Sequence, residues 1–97
     1  MEISEITHDK ENSQLYLEVE GMRAYVDYKL RRNRIYLTYS EVPAELRGKG
    51  IGEKLITQSL EKLIEEGYDK DHRIIAKCKF IKYIVARSKK WQELVEH

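Results

Sequence analysis

Hydrophobic positions change period partway along this chain. Leu15, Leu17 and Val19 interleave with Tyr16, Glu18 and Glu20, Gly21 interrupts, and Ala24, Val26, Tyr28 and Leu30 then alternate back. Successive side chains of a strand face opposite ways, so this alternation predicts an antiparallel hairpin with one buried face. Arg31-Arg32-Asn33 makes the next turn, and residues 35 to 42, rich in tyrosine and β-branched side chains, form a third long strand. Pro43 ends it, because proline has no N–H to give the ladder. From Gly50 the period becomes helical: Ile51, Leu55, Ser59, Leu60, Leu63 and Ile64 share one face, and Glu53, Lys54, Glu61, Lys62 and Glu65 share the other. This predicts an amphipathic helix of about 16 residues, with Gly67 placed to end it as a left-handed cap.

Shorter elements fill in the remainder. Residues 3 to 7 predict a first short strand and residues 8 to 13 a turn. Arg73-Ile74-Ile75-Ala76 predicts a short buried strand, parallel to the third because a helical crossover joins them. Residues 79 to 87 predict a helix with Phe80, Ile81, Ile84 and Val85 inward, and Trp91, Leu94 and Val95 dock the end of the chain. No repeats or low-complexity tracts interrupt this order. The expected class is α+β: a mixed, mostly antiparallel sheet, a parallel strand pair flanking a long helix, and a C-terminal helix.

Composition narrows the partners. Ninety-seven residues predict one domain over 1 to 97, burying about two-thirds of the unfolded surface. A net charge of +1 with 36% charged residues argues against nucleic-acid binding by bulk charge. The single cysteine excludes an internal disulfide, and no apolar stretch approaches the roughly 20 residues of a membrane span or looks like a signal peptide. The cytoplasm is the expected location. Lys77, Lys79, Lys82, Arg87, Lys89 and Lys90 crowd the end of the chain with no intervening acid. They read first as a solvated helix face, with attraction of an anionic cofactor or of nucleic acid as the other readings. His8 and His72 are isolated in turn-like segments, are expected at the surface, and make no metal site with the one cysteine.

The candidate chemistry lies in Val42-Pro43-Ala44-Glu45-Leu46-Arg47-Gly48-Lys49-Gly50-Ile51-Gly52, which a strand enters and a helix leaves. Glycines admit tight turns and close approach to backbone N–H groups, and a helix's first turn offers unpaired donors at a positive dipole end. A pyrophosphate is the natural guest. A P-loop is excluded, because Gly52 is followed by Glu53-Lys54-Leu55 with no hydroxyl for magnesium. The dinucleotide fingerprint G-x-G-x-x-G fits badly, because Gly48, Gly50 and Gly52 are spaced G-x-G-x-G.

The spacing Arg/Gln-x-x-Gly-x-Gly/Ala, met by Arg47-Gly48-Lys49-Gly50-Ile51-Gly52, resembles the acetyl-CoA loop of the GNAT superfamily of N-acetyltransferases. Glu41-Val42-Pro43 before it, and Cys78-x-Phe80-x-x-Tyr83 about 25 residues after it, resemble the small, single-cysteine branch of that superfamily, over roughly residues 35 to 95. The resemblance implies that the strands flanking the long helix splay to admit pantetheine, and that acetyl-CoA is the acyl donor. It also implies that backbone N–H groups from about Gly48 to Gly52, Ile51 among them, hold the pyrophosphate, with Val42 near the pantetheine amides and Arg47 and Lys49 adding charge. Glu41 is then a base, direct or through water, or merely a strand-end carboxylate. Cys78 is a transient acetyl carrier or a small residue lining the thioester pocket. Tyr83 protonates the departing thiolate or belongs to the core. Larger relatives build their acceptor sites from N-terminal helices and two final strands that the sequence does not display. The acceptor therefore stays open among a small polyamine, a protein lysine or N-terminus, or none at all. The functions left standing are N-acetyl transfer, acyl-CoA binding without catalysis, and a small nucleic-acid-binding domain using the basic end of the chain.

Overall fold

A computed structural model describes residues 2–71 and 73–96, together with all their side chains except that of Asp71; His72 lies outside the described residues. One sheet of six strands forms the frame, ordered as in the sequence: β1 (Thr7–Asp9), β2 (Gln14–Val19), β3 (Met22–Arg31), β4 (Arg34–Glu41), β5 (Arg73–Ala76) and β6 (Val95–Glu96). The pairs β1–β2, β2–β3 and β3–β4 are antiparallel, whereas β4–β5 and β5–β6 are parallel. Between β4 and β5 lie a 3-10 turn (Ala44–Leu46), the long helix α1 (Ile51–Glu65) and the short α2 (Tyr68–Asp71). Between β5 and β6 lie α3 (Lys79–Ala86) and α4 (Lys89–Leu94). The expected α+β class and parallel pair are both present. Among the described residues no helix is long and apolar enough to cross a membrane.

Burial explains why α1 sits where it does. Its Ile51, Leu55, Ile56, Leu60 and Leu63 meet Leu15, Leu17, Val26, Ile35 and Leu37 of the sheet in one buried cluster. Each such side chain contributes about 1.5–3 kcal/mol relative to exposure. Gly67, at φ +88°, takes the left-handed conformation the sequence assigns it. Trp91 is buried, and the Ser88 hydroxyl accepts the Trp91 N–H at 3.4 Å to start α4. The end of the chain is thereby turned into β6, a strand not foreseen from two residues of sequence. A bidentate Arg73–Glu96 pair fastens it to β5.

One irregularity matters for function. The β3–β4 register places Tyr28 opposite Leu37 and Asp27 opposite Tyr39, so Thr38 is an extra residue in β4, its hydroxyl donating to the Asp27 carbonyl at 3.2 Å. A single inserted residue reverses the faces of everything beyond it. Ile35 and Leu37 are buried on the helix side, whereas Tyr39 and Glu41 join Tyr25 and Asp27 on the open face and Ser40 turns toward the helices.

Three expectations need correcting. The regular first strand runs Thr7–Asp9, so of residues 3 to 7 only Thr7 belongs to it, and Ile3 forms an isolated bridge with Val19. Phe80, expected inward, is 39% exposed. It follows Cys78 in the opening turn of α3, on the side that faces the loop rather than the sheet.

The third correction concerns His8, which is no surface residue: its side chain is only 2% exposed. Nδ1 lies 2.5 Å from Glu66 Oε1, and Nε2 lies 2.6 Å from the Tyr28 hydroxyl. Burial, followed by the nearby Tyr68 and Glu66, pushes the Tyr28 phenol up to about 12, so it stays a donor across the neutral range. This chain of bonds clasps β1 to β3 and to the end of α1. His8→Phe, which leaves the Tyr28 hydroxyl buried and unpaired, is expected to cost about 1–3 kcal/mol in urea unfolding. Adding Tyr28→Phe to His8→Phe should recover part of that loss, because the orphaned hydroxyl is then gone.

Candidate functional site

The parallel register ends at Leu37 opposite Ala76, where Lys77 and Cys78 both donate their N–H groups to the Leu37 carbonyl. Beyond this point β4 continues to Glu41 while the other chain turns into α3. A cleft of about 480 Å³ opens between them, with Tyr39 to Val42 on one side, the loop from Leu46 to Glu53 as its floor, and Phe80, Tyr83 and Ile84 of α3, with Arg87 just past its end, opposite. Val42, Leu46, Ile51, Phe80 and Ile84 make its walls largely apolar.

The floor is shaped by glycines for two different reasons. Gly48 and Gly50 both have φ +77°, a conformation costly for other residues, and nothing lies within 4 Å of where a side chain would begin. Gly52 has ordinary helical geometry, but a Cβ there would come within 2.9 Å of the Phe80 ring. Gly50 is the residue before α1, and no side chain caps that helix end. The first helical bond is Lys54 N–H to the Gly50 carbonyl, so the N–H groups of Ile51, Gly52 and Glu53 precede any intrahelical acceptor. Unpaired donors and the positive end of the dipole thus meet open space.

Some of the charges around this floor are paired and others are not. Arg47 makes no ion pair with Glu45 or Glu53; its Nε donates to the Val42 carbonyl at 3.1 Å, tying the loop back to the end of β4. Glu53 instead faces Arg87 at 3.9 Å, and the Arg87 guanidinium lies 5.2 Å from the Tyr83 ring. Lys49 is exposed and outside the cleft wall. Lys90 at the basic end of the chain lies 4.0 Å from Glu61 of α1.

The three candidate reacting residues occupy distinct places. Glu41 is exposed at the cleft mouth, accepting from Tyr39 Oη at 3.0 Å and Tyr25 Oη at 3.3 Å. Tyr83 is 56% exposed on the α3 wall. Cys78 is half-buried before the first turn of α3, behind Ser40 rather than in the cleft wall, with Sγ 3.3 Å from the Ser40 hydroxyl. Burial pushes its thiol up, but hydrogen bonding from the Ser40 hydroxyl and from the N–H groups of Ile81, Phe80 and Ser40 outweighs that and holds it below the usual thiol range.

Sequence reasoning missed Tyr39, Ser40, Phe80, Ile84 and Arg87 as parts of the site. The four-residue spacing of Tyr83 and Arg87 on one helix was a usable signal. Tyr39 and Ser40 gave none, because their faces depend on the bulge.

With this geometry in place, comparison with known families is decisive on class. Residues 14–94 match the family described as GCN5-related N-acetyl-transferase, and the chain belongs to that family. Comparison with curated proteins returns no match.

The Cys78 environment has a direct consequence for reactivity. Because the thiolate is the nucleophile, alkylation by iodoacetamide should reach its plateau at a lower pH than for a free thiol. Ser40→Ala removes one donor and should move the midpoint upward; an unmoved midpoint contradicts the assigned bonding.

Proposed function

We propose that this chain transfers the acetyl group of acetyl-CoA to an amine. The observation carrying this reading is the uncapped N-terminus of α1, reached through left-handed Gly48 and Gly50, at the floor of an apolar cleft that begins where β4 and β5 part. Backbone N–H groups from Gly48 to Gly52 hold the pyrophosphate, each bond strengthened because its acceptor is charged. Arg47, tethered to the Val42 carbonyl, adds positive charge there. The walls of Val42, Leu46, Phe80 and Ile84 suit the pantetheine arm, and they aim it toward Ser40 and Glu41.

Acetyl-CoA supplies an activated thioester carbonyl. For the nitrogen lone pair to attack, the amine must lose its proton, and Glu41 takes that proton directly or through water. Tyr83 gives a proton to the departing thiolate as the carbon–sulfur bond breaks. Cys78, its thiol held below the usual range and only half-buried, is the candidate for carrying acetyl transiently between donor and amine. A module that only binds acyl-CoA would share the loop and show no turnover with any amine.

Binding and chemistry are tested separately. Acetyl-CoA at about 100 times its Kd should stabilise the fold by roughly 2.7 kcal/mol in a melting scan. Gly50→Asn tolerates the left-handed backbone and should keep the shift, whereas Gly50→Asp sets a carboxylate against the pyrophosphate and should lose it. Equal shifts in the two variants refute the loop assignment. Cys78→Ala and Tyr83→Phe should each lower kcat by about 100-fold while leaving the acetyl-CoA shift intact. Full turnover in Cys78→Ala removes the covalent route and leaves direct attack by the amine.

A further inference from the structure

α1, α3 and α4 all pack on one face of the sheet, where Leu60, Ile84 and Trp91 share a buried cluster with Ile35 and Ile74. They leave the other face uncovered, and its end away from the cleft mouth is crowded with cations. Arg31 stands directly opposite Arg34, and Arg34 directly opposite Arg73, so three arginines form one row across β3, β4 and β5. Ile35 and Ile74 point into the core, so the arginines beside them point outward, and all three are exposed. The next row on the same face is Lys29, Tyr36 and Ile75, with Lys29 exposed and the other two half-buried. Lys77, just past β5, places its ammonium 5.9 Å from the centre of the Tyr36 ring.

Like charges directly opposite one another destabilise a sheet, so this row is held at a cost. Among the described residues Glu96 alone answers it, through its bidentate bond to Arg73. That bond, then the charges of Arg73 and Arg34, hold the Glu96 carboxyl below the usual carboxylate range. Lys29, Arg31, Arg34 and Lys77 make no ion pair among the described residues. Asp27 and Glu41 share this face but lie beyond the Thr38 bulge, where the basic half stops. None of these cations lines the cleft. Arg87 and Lys90, from the basic end of the chain, face Glu53 and Glu61 of α1 on the helix side instead.

We infer that this face binds a single-stranded nucleic acid, with phosphates on Arg31 and Arg34 and a base on the Tyr36 ring. The inference goes beyond acetyl transfer and stands without it. Neighbouring strands are about 4.8 Å apart and alternate residues about 7 Å apart along a strand, so guanidinium and ammonium groups on this grid reach successive phosphates. The guanidinium fork matches phosphate oxygens bidentately. The ring set among the cations decides between polyanions. A base of any identity stacks on a π face while the surrounding cations track the backbone. The carboxylates of an acidic peptide gain nothing there, because the face of an aromatic ring is itself negative. Stacking and phosphate pairing are both tolerant of sequence, so base preference is weak.

The test follows fluorescence anisotropy of labelled oligouridylate and oligothymidylate of about 12 nucleotides, and of labelled oligoglutamate of equal charge, titrated with the full chain. The four unpaired cations predict a log–log salt slope of about −3 for the nucleic acids, at about −0.7 per phosphate. Arg31→Gln with Arg34→Gln should cut that slope to about half. Tyr36→Ala should weaken binding about tenfold and Tyr36→Phe should keep it, whereas Lys82→Gln with Lys89→Gln should change neither slope nor affinity. Binding of either oligonucleotide in this pattern supports the site, and a difference between the two identifies RNA or DNA as the ligand. Oligoglutamate held as tightly, or an affinity unmoved by Tyr36→Ala, overturns it in favour of an acidic protein. A dimer in sedimentation that Arg34→Glu dissolves overturns it in favour of a second copy of the chain. No binding of either oligonucleotide overturns it, whatever acetyl-CoA does to the melting temperature.

Discussion

Parallel pairing of β4 with β5 is the constraint from which the site follows. A chain leaving the carboxyl end of one strand must recross the sheet before it can enter the next strand in the same direction, and α1 makes that crossing. The helix therefore begins at the carboxyl end of β4, with its orphan N–H groups beside the strand's last residues. Helices ordinarily satisfy such donors with a Ser, Thr, Asp or Asn before the first turn. Gly50 provides none, and Gly48 and Gly50 sit in a backbone conformation that favours glycine, so local stability is given up where an anion would restore it.

How much of this was legible depended on the distance over which each feature is encoded. The hairpin, the long helix, the glycine loop and the parallel return strand are written in local period and spacing, and all are present. The clasp at His8 was invisible, because its partners lie 20 and 58 residues away and a lone histidine in a polar segment looks solvated. Phe80 was assigned inward because α3 carries apolar side chains on more than one side. The ring is needed near Gly52, whose missing Cβ leaves the room it occupies. For β6, two residues carry no period; the strand exists because Ser88 starts α4, Trp91 is buried, and Arg73 pairs with Glu96.

The bulge at Thr38 is the clearest case of a functional feature hidden by a regular pattern. Residues 35, 37, 39 and 41 alternate without a break, and read as one strand they would share a face. On that reading Glu41 would point toward α1 and Ser40 away from it. One extra residue reverses both. Tyr39 and Glu41 reach the open face opposite Asp27 and Tyr25, and Ser40 reaches Cys78.

That reversal couples the two halves of the proposed chemistry. The insertion that delivers the Ser40 hydroxyl and N–H to the Cys78 sulfur also delivers the Glu41 carboxylate to the cleft mouth, because Ser40 and Glu41 are neighbours on a pleated strand and must face opposite ways. A regular β4 would strip the thiol of two of its stabilising hydrogen bonds and bury a carboxylate against α1, where an unpaired charge is costly. The polarised sulfur on one side of the strand and the acidic, tyrosine-lined patch on the other are thus consequences of a single register shift. They persist or disappear together.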